Sequence, residues 1–375
     1  MNTVHSGSSS RWLHLFASIW LVLVLSVASP LAAQSNERDA EAIEVIDAAL
    51  TRFAEGGQLS GSVLIARGAE ILLEKGYGYA VVGWEVANTP ETVYRIGSIT
   101  KQFTAMAILK LQENGLLTVD DLICIHLEEC PESWSAITIH HLLTHTSGIP
   151  NYTDDYAVLS KLMYSTVGSA AVVDSFIDEP LQFEPGTNWS YSNSGYHLLG
   201  DIIARAAGVS YRRYLQETFF EPLGMESTDL ERNTSIISNM AEGYSTGRSR
   251  AAYINMNVPY SAGALISTVG DLLKWEQALF NGQVVSQASL DTIWEGAFPL
   301  DEQQEYGYGL IRETQDGRVS ISHGGGINGF TSLMIYLPEA ELTVIMLTNR
   351  EDTPMDVLAP LILDEMLKVP EASAP

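Results

Sequence analysis

Tyr94-Arg-Ile-Gly-Ser98-Ile-Thr-Lys101, continuing through Gln102-Phe103-Thr-Ala-Met106-Ala107-Ile-Leu109-Lys-Leu111-Gln-Glu-Asn114 to Gly115, is the stretch whose reading decides the fold. From Thr100 the periodicity changes. Phe103, Met106, Ala107 and Leu111, with Leu109 less regular, predict a helix over Thr100–Asn114, and Gly115 stops it. Before this point the pattern is extended. Ser60–Ala66 and Ile71–Leu73 read as strands joined by a hairpin at Arg67–Glu70, and Gly76–Ala80 continues the extended pattern. An amphipathic helix over Asp39–Phe53 precedes them and ends at Gly56-Gly57. After this point, to about residue 300, helices and loops dominate. Leu198, Leu199, Ile202, Ile203 and Ala206 mark a helix after Asn193 that Gly208 closes, and Asp271–Leu279 marks another. Strand character returns at Tyr306–Ile311, Val319–Ser322, Thr331–Tyr336 and Leu342–Leu347, before a last helix over Pro354–Leu367. Strands at both ends of a helical middle predict one sheet whose order is interrupted by an insertion.

Three segments carry residues suited to chemistry. Ser98 and Lys101 lie three apart at a helix mouth, so both side chains share one face. A serine hydroxyl is a weak nucleophile until a neighbour accepts its proton, and an amine can do so when burial lowers its pKa. The partial positive charge of the helix N-terminus favours a developing anion there. In Phe183-Glu-Pro-Gly-Thr-Asn-Trp-Ser-Tyr191-Ser-Asn193, the last Tyr and Asn are two apart and face one side of an extended stretch. A phenol can relay a proton, and a carboxamide can hydrogen-bond both an amine and a substrate amide. In His323-Gly-Gly-Gly-Ile-Asn-Gly-Phe330, glycines entering a strand imply close approach to backbone, whose free N–H groups can hold an oxyanion.

Ser-x-x-Lys, Tyr-Ser-Asn and His-Gly-Gly, in this order, resemble the beta-lactamase-related serine hydrolases. Class C beta-lactamases, D-Ala-D-Ala carboxypeptidases, D-amino-acid peptidases and esterases belong to that family. Ile139–Ile149, Ser261–Thr268 and Tyr306–Leu310 also look familial, and the resemblance spans roughly residues 40 to 365. It implies an α+β fold, an antiparallel sheet flanked by helices with an inserted mainly helical subdomain. The sheet part would cover about 36–95 and 300–368, the helical part about 96–299, and 369–375 would be a loose tail. Ser98 matches the acylated nucleophile, Lys101 its base and Tyr191 the proton relay. Asn193 matches the residue that orients Lys101 and the substrate amide. His323, Gly324 and Gly325 occupy the substrate-binding third motif, and the backbone N–H groups of Ser98 and Gly326 match an oxyanion hole. The family uses no cofactor. His323 stands where good beta-lactamases carry Lys, and it offers a cation only when protonated, with an ordinary pKa of about 6.5. Gly324 likewise replaces a hydroxyl donor. Both departures imply weak or absent beta-lactam turnover.

The chain of 375 residues carries 20 Lys plus Arg against 46 Asp plus Glu, a formal charge of −26, which excludes nucleic acid as a natural partner. A small-molecule or peptide substrate is expected instead. Arg11, the apolar run Ile19–Val27 and the small residues up to Ala33 read as a secretory signal over residues 1–33, with an uncleaved anchor as the alternative. No later run is long enough to span a bilayer, so the expected location is periplasmic or extracellular. Cys124 and Cys130 could close a small loop in an oxidising compartment; the sequence leaves the pairing open. His141 and His145, four apart on an expected helix, could start a zinc site. No Glu follows His141 and no third ligand is evident, so no metal is expected. Two other functions stay open: a carboxylesterase or weak beta-lactamase of the same family, and a penicillin-binding or scaffolding protein without catalysis.

Overall fold

The computed structural model describes residues 30–368 except 167 and 248, with side chains from residue 37 onward. The expected signal segment and the expected tail at 369–375 therefore lie largely or wholly outside the described residues. Helix α1 runs Pro30–Glu55, longer than its apolar pattern. Strands β1 (Gly61–Arg67) and β2 (Glu70–Tyr77) follow as a hairpin. The helical part contains α2 (Thr100–Glu113), α3 (Ile139–Leu143), α4 (Asn193–Ala207), the short α5 (Tyr260–Gly263) and α6 (Val269–Phe280). Strands β3 (Phe298–Pro299), β4 (Gln304–Tyr306), β5 (Ile311–Gln315), β6 (Arg318–Ile327), β7 (Phe330–Leu337) and β8 (Leu342–Thr348) precede α7 (Met355–Leu367).

The eight strands form one antiparallel sheet in the order β2-β1-β8-β7-β6-β5-β4-β3. Both chain ends of the domain thus meet at β1 and β8, which pair in register from Gly61↔Thr348 to Arg67↔Leu342. These two strands read as continuous apolar runs because both of their faces are covered. Val63 and Ile65 pack with Ile46, Leu50, Leu358 and Ile362 from α1 and α7. Leu64 and Ala66, pointing the other way, join the core formed with α2 and α6. Cys124 and Cys130 are bonded to each other, with Cα atoms 5.3 Å apart.

Helix α2 is buried on every side, Lys101, Gln102 and Thr104 included, which explains the irregular apolar spacing at Leu109. Phe103 stacks on Trp275 of α6 at 3.9 Å between ring centroids. Two sequence expectations change here. The expected strand Tyr306–Ile311 is broken, because Gly307–Leu310 turn back with Gly307 N–H donating to Leu310 O at 2.9 Å. Gly309 lies at φ +69°, and a Cβ there would fall 2.6 Å from Lys101 O, so the turn exists to press backbone onto α2. His141 and His145 do not share a helix: α3 ends at Leu143, and His145 has φ +61°.

Strand β5 begins at Ile311, opposite Ser322, so beyond Ser322 β6 has a free edge. That edge is laid against the segment before α2. A Cβ on Gly325 would sit 2.2 Å from Ile96 O, whereas one on Gly324 would meet nothing closer than 3.7 Å. Gly325→Ala is therefore expected to lower the melting temperature by roughly 2–6 °C, and Gly324→Ala to leave it nearly unchanged. Thermal unfolding followed by circular dichroism compares the two.

Glu276 on α6 is 2% exposed and accepts a hydrogen bond from Thr343 Oγ1 of β8 at 3.0 Å. Burial pushes its carboxyl up to about 7 from 4.5. A carboxyl with a raised folded pKa contributes stability below its unfolded pKa and loses it as pH rises through the folded one. Glu276→Gln should leave stability nearly unchanged at pH 4.5 and raise it above pH 7, by up to about 3 kcal/mol. Urea unfolding at the two pH values gives the comparison, and an equal shift at both would contradict the burial argument.

Candidate active site

Ser98 stands in the turn Gly97–Ile99 that feeds α2, half-buried, with Lys101 on the first turn of the helix behind it. The turn is possible because Gly97 takes φ +50°, and a Cβ on it would lie 2.9 Å from Gly326 N. Backbone of β6 and of the Ser98 turn are thus in contact, and Ser98 and Gly326 line the same cavity. Ser332 Oγ of β7 donates to Ile96 O at 2.8 Å and ties this turn to the sheet.

Lys101 is fully buried. Its Nζ donates to Asn193 Oδ1 at 2.8 Å and to Ala262 O at 2.7 Å, and lies 3.2 Å from Ser98 Oγ. None of these partners is charged. Burial, with no counter-ion among the described residues, drives the amine well below its ordinary 10.5. A neutral amine has two hydrogens and one lone pair. With both hydrogens committed to oxygens, the lone pair is left facing the Ser98 hydroxyl. On the other side, Tyr191 Oη donates to Ser98 Oγ at 2.8 Å. Burial pushes the phenol up, so it keeps its proton and remains a donor. The result is a directed chain in which the phenol donates to the serine and the serine can donate to the amine.

Asn193 opens α4. Its Nδ2 donates to Thr153 Oγ1 at 3.1 Å, and its backbone N–H donates to Asn151 Oδ1 at 3.0 Å. Ser192 caps α4 through its Oγ, which accepts from Gly195 N–H. This fixes where the Tyr191–Asn193 stretch ends and the helix begins.

The third motif is divided by the alternation of β6. Gly324 and Gly326 are exposed, Gly325 packs on Ile96, and His323 is 4% exposed. His323 Nδ1 lies 2.6 Å from Gly324 O, so it carries the proton, and Nε2 accepts from Tyr306 Oη at 3.2 Å. Burial, with Lys101 nearby, brings the imidazole down to about 4. His323 is therefore neutral at pH 7 and held to Tyr306. The idea of a protonatable cation facing substrate gives way to a buried prop.

The sequence reading missed Ala262 O, which no spacing marks because it is a backbone atom. Tyr306 belongs to the familial-looking stretch Tyr306–Leu310, but nothing in the sequence marks its contact with His323, and His145 stands out there only as half of a possible zinc pair. His145 lies in the Ile139–Ile149 stretch that was singled out, so the stretch was legible while its role was not.

The beta-lactamase family profile matches residues 45–366. Penicillin-binding protein 4* of Bacillus subtilis (strain 168) is 30% identical over 320 residues, covering 80% of this chain and 70% of that protein. The crystal structure of a penicillin-binding protein from Bacillus halodurans superposes with a TM-score of 0.75 at 27% identity, covering 83% of this chain and 98% of that one. The D-amino acid amidase of Ochrobactrum anthropi SV3 has the same fold, with a TM-score of 0.74 at 22% identity over 89% of this chain and 98% of its own. With the matched region running from α1 through α7, the chain belongs to the beta-lactamase family.

Proposed function

We propose that the protein is an exported serine hydrolase that cleaves amide or ester bonds through an acyl-enzyme on Ser98. The observation that carries this reading is the placement of Ser98 Oγ between Lys101 Nζ at 3.2 Å and Tyr191 Oη at 2.8 Å. In the first step Lys101 takes the Ser98 proton, and the oxygen forms a bond to the substrate carbonyl carbon. The negative charge that develops on the carbonyl oxygen is met by the N–H groups of Ser98 and Gly326. Tyr191 donates its proton to the departing nitrogen or oxygen as that bond breaks, and the proton held by Lys101 restores the phenol. Water then attacks the ester carbon, giving its proton back through the same groups, and Ser98 is released. Neither step needs a cofactor.

Beside Ser98 lies a cavity of about 220 Å³ whose walls include Leu159, Met163, Ile254, Val258 and Ile327. Such a space favours a compact apolar acyl group. D-Amino-acid peptides of cell-wall origin fit the proposed location, which rests on the apolar N-terminal run and on the Cys124–Cys130 bond. Buried, neutral His323 supplies no charge to a substrate carboxylate, which argues against efficient beta-lactam turnover.

A panel of p-nitrophenyl esters of increasing acyl length, D-aminoacyl amides, D-Ala-D-Ala peptides and nitrocefin tests the reading. Short to medium apolar acyl groups should be turned over fastest and nitrocefin slowly or not at all. Mass spectrometry should find the acyl group on Ser98, and absence of any adduct on a turned-over substrate would overturn the mechanism. Ser98→Ala and Lys101→Ala should each lower kcat by on the order of 10³-fold or more.

The pH profile follows from the amine. Lys101 acts as a base only when unprotonated, so the acid limb of kcat/KM should lie well below the ordinary lysine range, with activity falling as pH drops through the lowered pKa. An activity that rises only near the ordinary lysine pKa would contradict this assignment.

A further inference from the structure

One buried group beside the phenol is left unused by the proposed reaction. His145 is 1% exposed and holds φ +61°, a conformation that asparagine and glycine accept and most residues avoid. Its carbonyl accepts from Ser190 N–H at 3.0 Å, and its Nδ1 accepts from Ser192 N–H at 3.1 Å. Those donors are the residues on either side of Tyr191. The imidazole ring is 4.4 Å from the Tyr191 ring between centroids, and 5.0 and 4.6 Å from those of Tyr196 and Tyr306.

We propose that His145 is the positioning residue for Tyr191, its carbonyl and its Nδ1 gripping the two backbone N–H groups that flank the phenol. The left-handed turn is what brings one residue's carbonyl and ring nitrogen to bear on the same strand. The assignment rests on the reading of Tyr191 as the proton donor to the leaving group.

The tautomer follows from the donor. A backbone N–H can bond only an unprotonated Nδ1, so the neutral ring carries its proton on Nε2. That Nε2 is buried and has no hydrogen-bond partner among the described residues. A residue chosen for packing alone would not leave a buried polar atom without a partner. Burial holds the imidazole well below its ordinary 6.5, so the acceptor persists at neutral pH.

Two variants separate the acceptor from the backbone shape. His145→Asn keeps an acceptor oxygen on Cγ, where Nδ1 stands, and accepts the left-handed backbone. His145→Gly accepts that backbone and removes the acceptor. Steady-state kinetics on the best p-nitrophenyl ester and fluorophosphonate labelling of Ser98 are read alongside thermal unfolding. The glycine variant should lose about 100-fold in kcat with KM little changed, and the asparagine variant should recover to within about tenfold of wild type. Equal loss in both folded variants, or a loss confined to KM, overturns the assignment. If the glycine variant does not fold, the asparagine variant decides alone: a folded protein that has lost kcat overturns the proposal, and retention supports it. Wild-type protein that neither labels nor turns over any ester overturns the catalytic reading itself, an outcome distinct from equal loss in the two variants.

Discussion

A lysine amine buried with no carboxylate to pair it among the described residues is the constraint around which the structure is arranged. Placing an unpaired charge there would cost several kcal/mol, so the amine is driven toward its neutral form. Neutrality is useful only if the lone pair has a direction. The direction comes from Asn193 and Ala262, which occupy both amine hydrogens and come from parts of the chain far from Lys101. Ala262 O is available because α5 is only one turn long, and the last carbonyls of a helix have no partner within it.

The second constraint is close backbone approach. The Ser98 turn must touch β6 for both to share one cavity, and a side chain at Gly97 or Gly325 would hold them apart. Strand β6 can offer this edge because β5 stops at the partner of Ser322. The turn at Gly307–Leu310, pressed on Lys101 O through Gly309, is the complementary support from the other side. Sheet and helical part are therefore joined where the reactive groups lie.

The stretch from His145 to Tyr152 forms a cradle for the Tyr191–Asn193 segment. Ser192 Oγ donates to Ile149 O, Ser194 Oγ to Pro150 O, and Asn193 N–H to Asn151 Oδ1. A Cβ on Gly148 would fall 2.2 Å from Phe183 O, a measure of how tightly the two stretches are apposed. Aromatic rings of Tyr191, Tyr196 and Tyr306 close over this junction around His145. The surface is strongly acidic while the groups that meet at Ser98 are neutral, so charge governs the exterior and hydrogen-bond direction governs the site.

Periodicity by itself determined the location of β1, β2, β7, β8, α2, α4 and α6, because these elements each bury a regular face or a continuous run. Ser98, Lys101, Tyr191 and Asn193 stand out in the sequence through the resemblance of three motifs taken together and in order, because each spacing taken alone also fits an ordinary helix mouth, a packed tyrosine or a helix cap. Tertiary structure alone decided that His323 is a buried prop, that Tyr306–Ile311 turns instead of running on, and that His145 lies beside Tyr191. Each depends on what a distant segment places alongside. Backbone atoms such as Ala262 O carry no residue-specific mark at all, so spacing along the chain cannot reveal a partner that exists only once the segments have met.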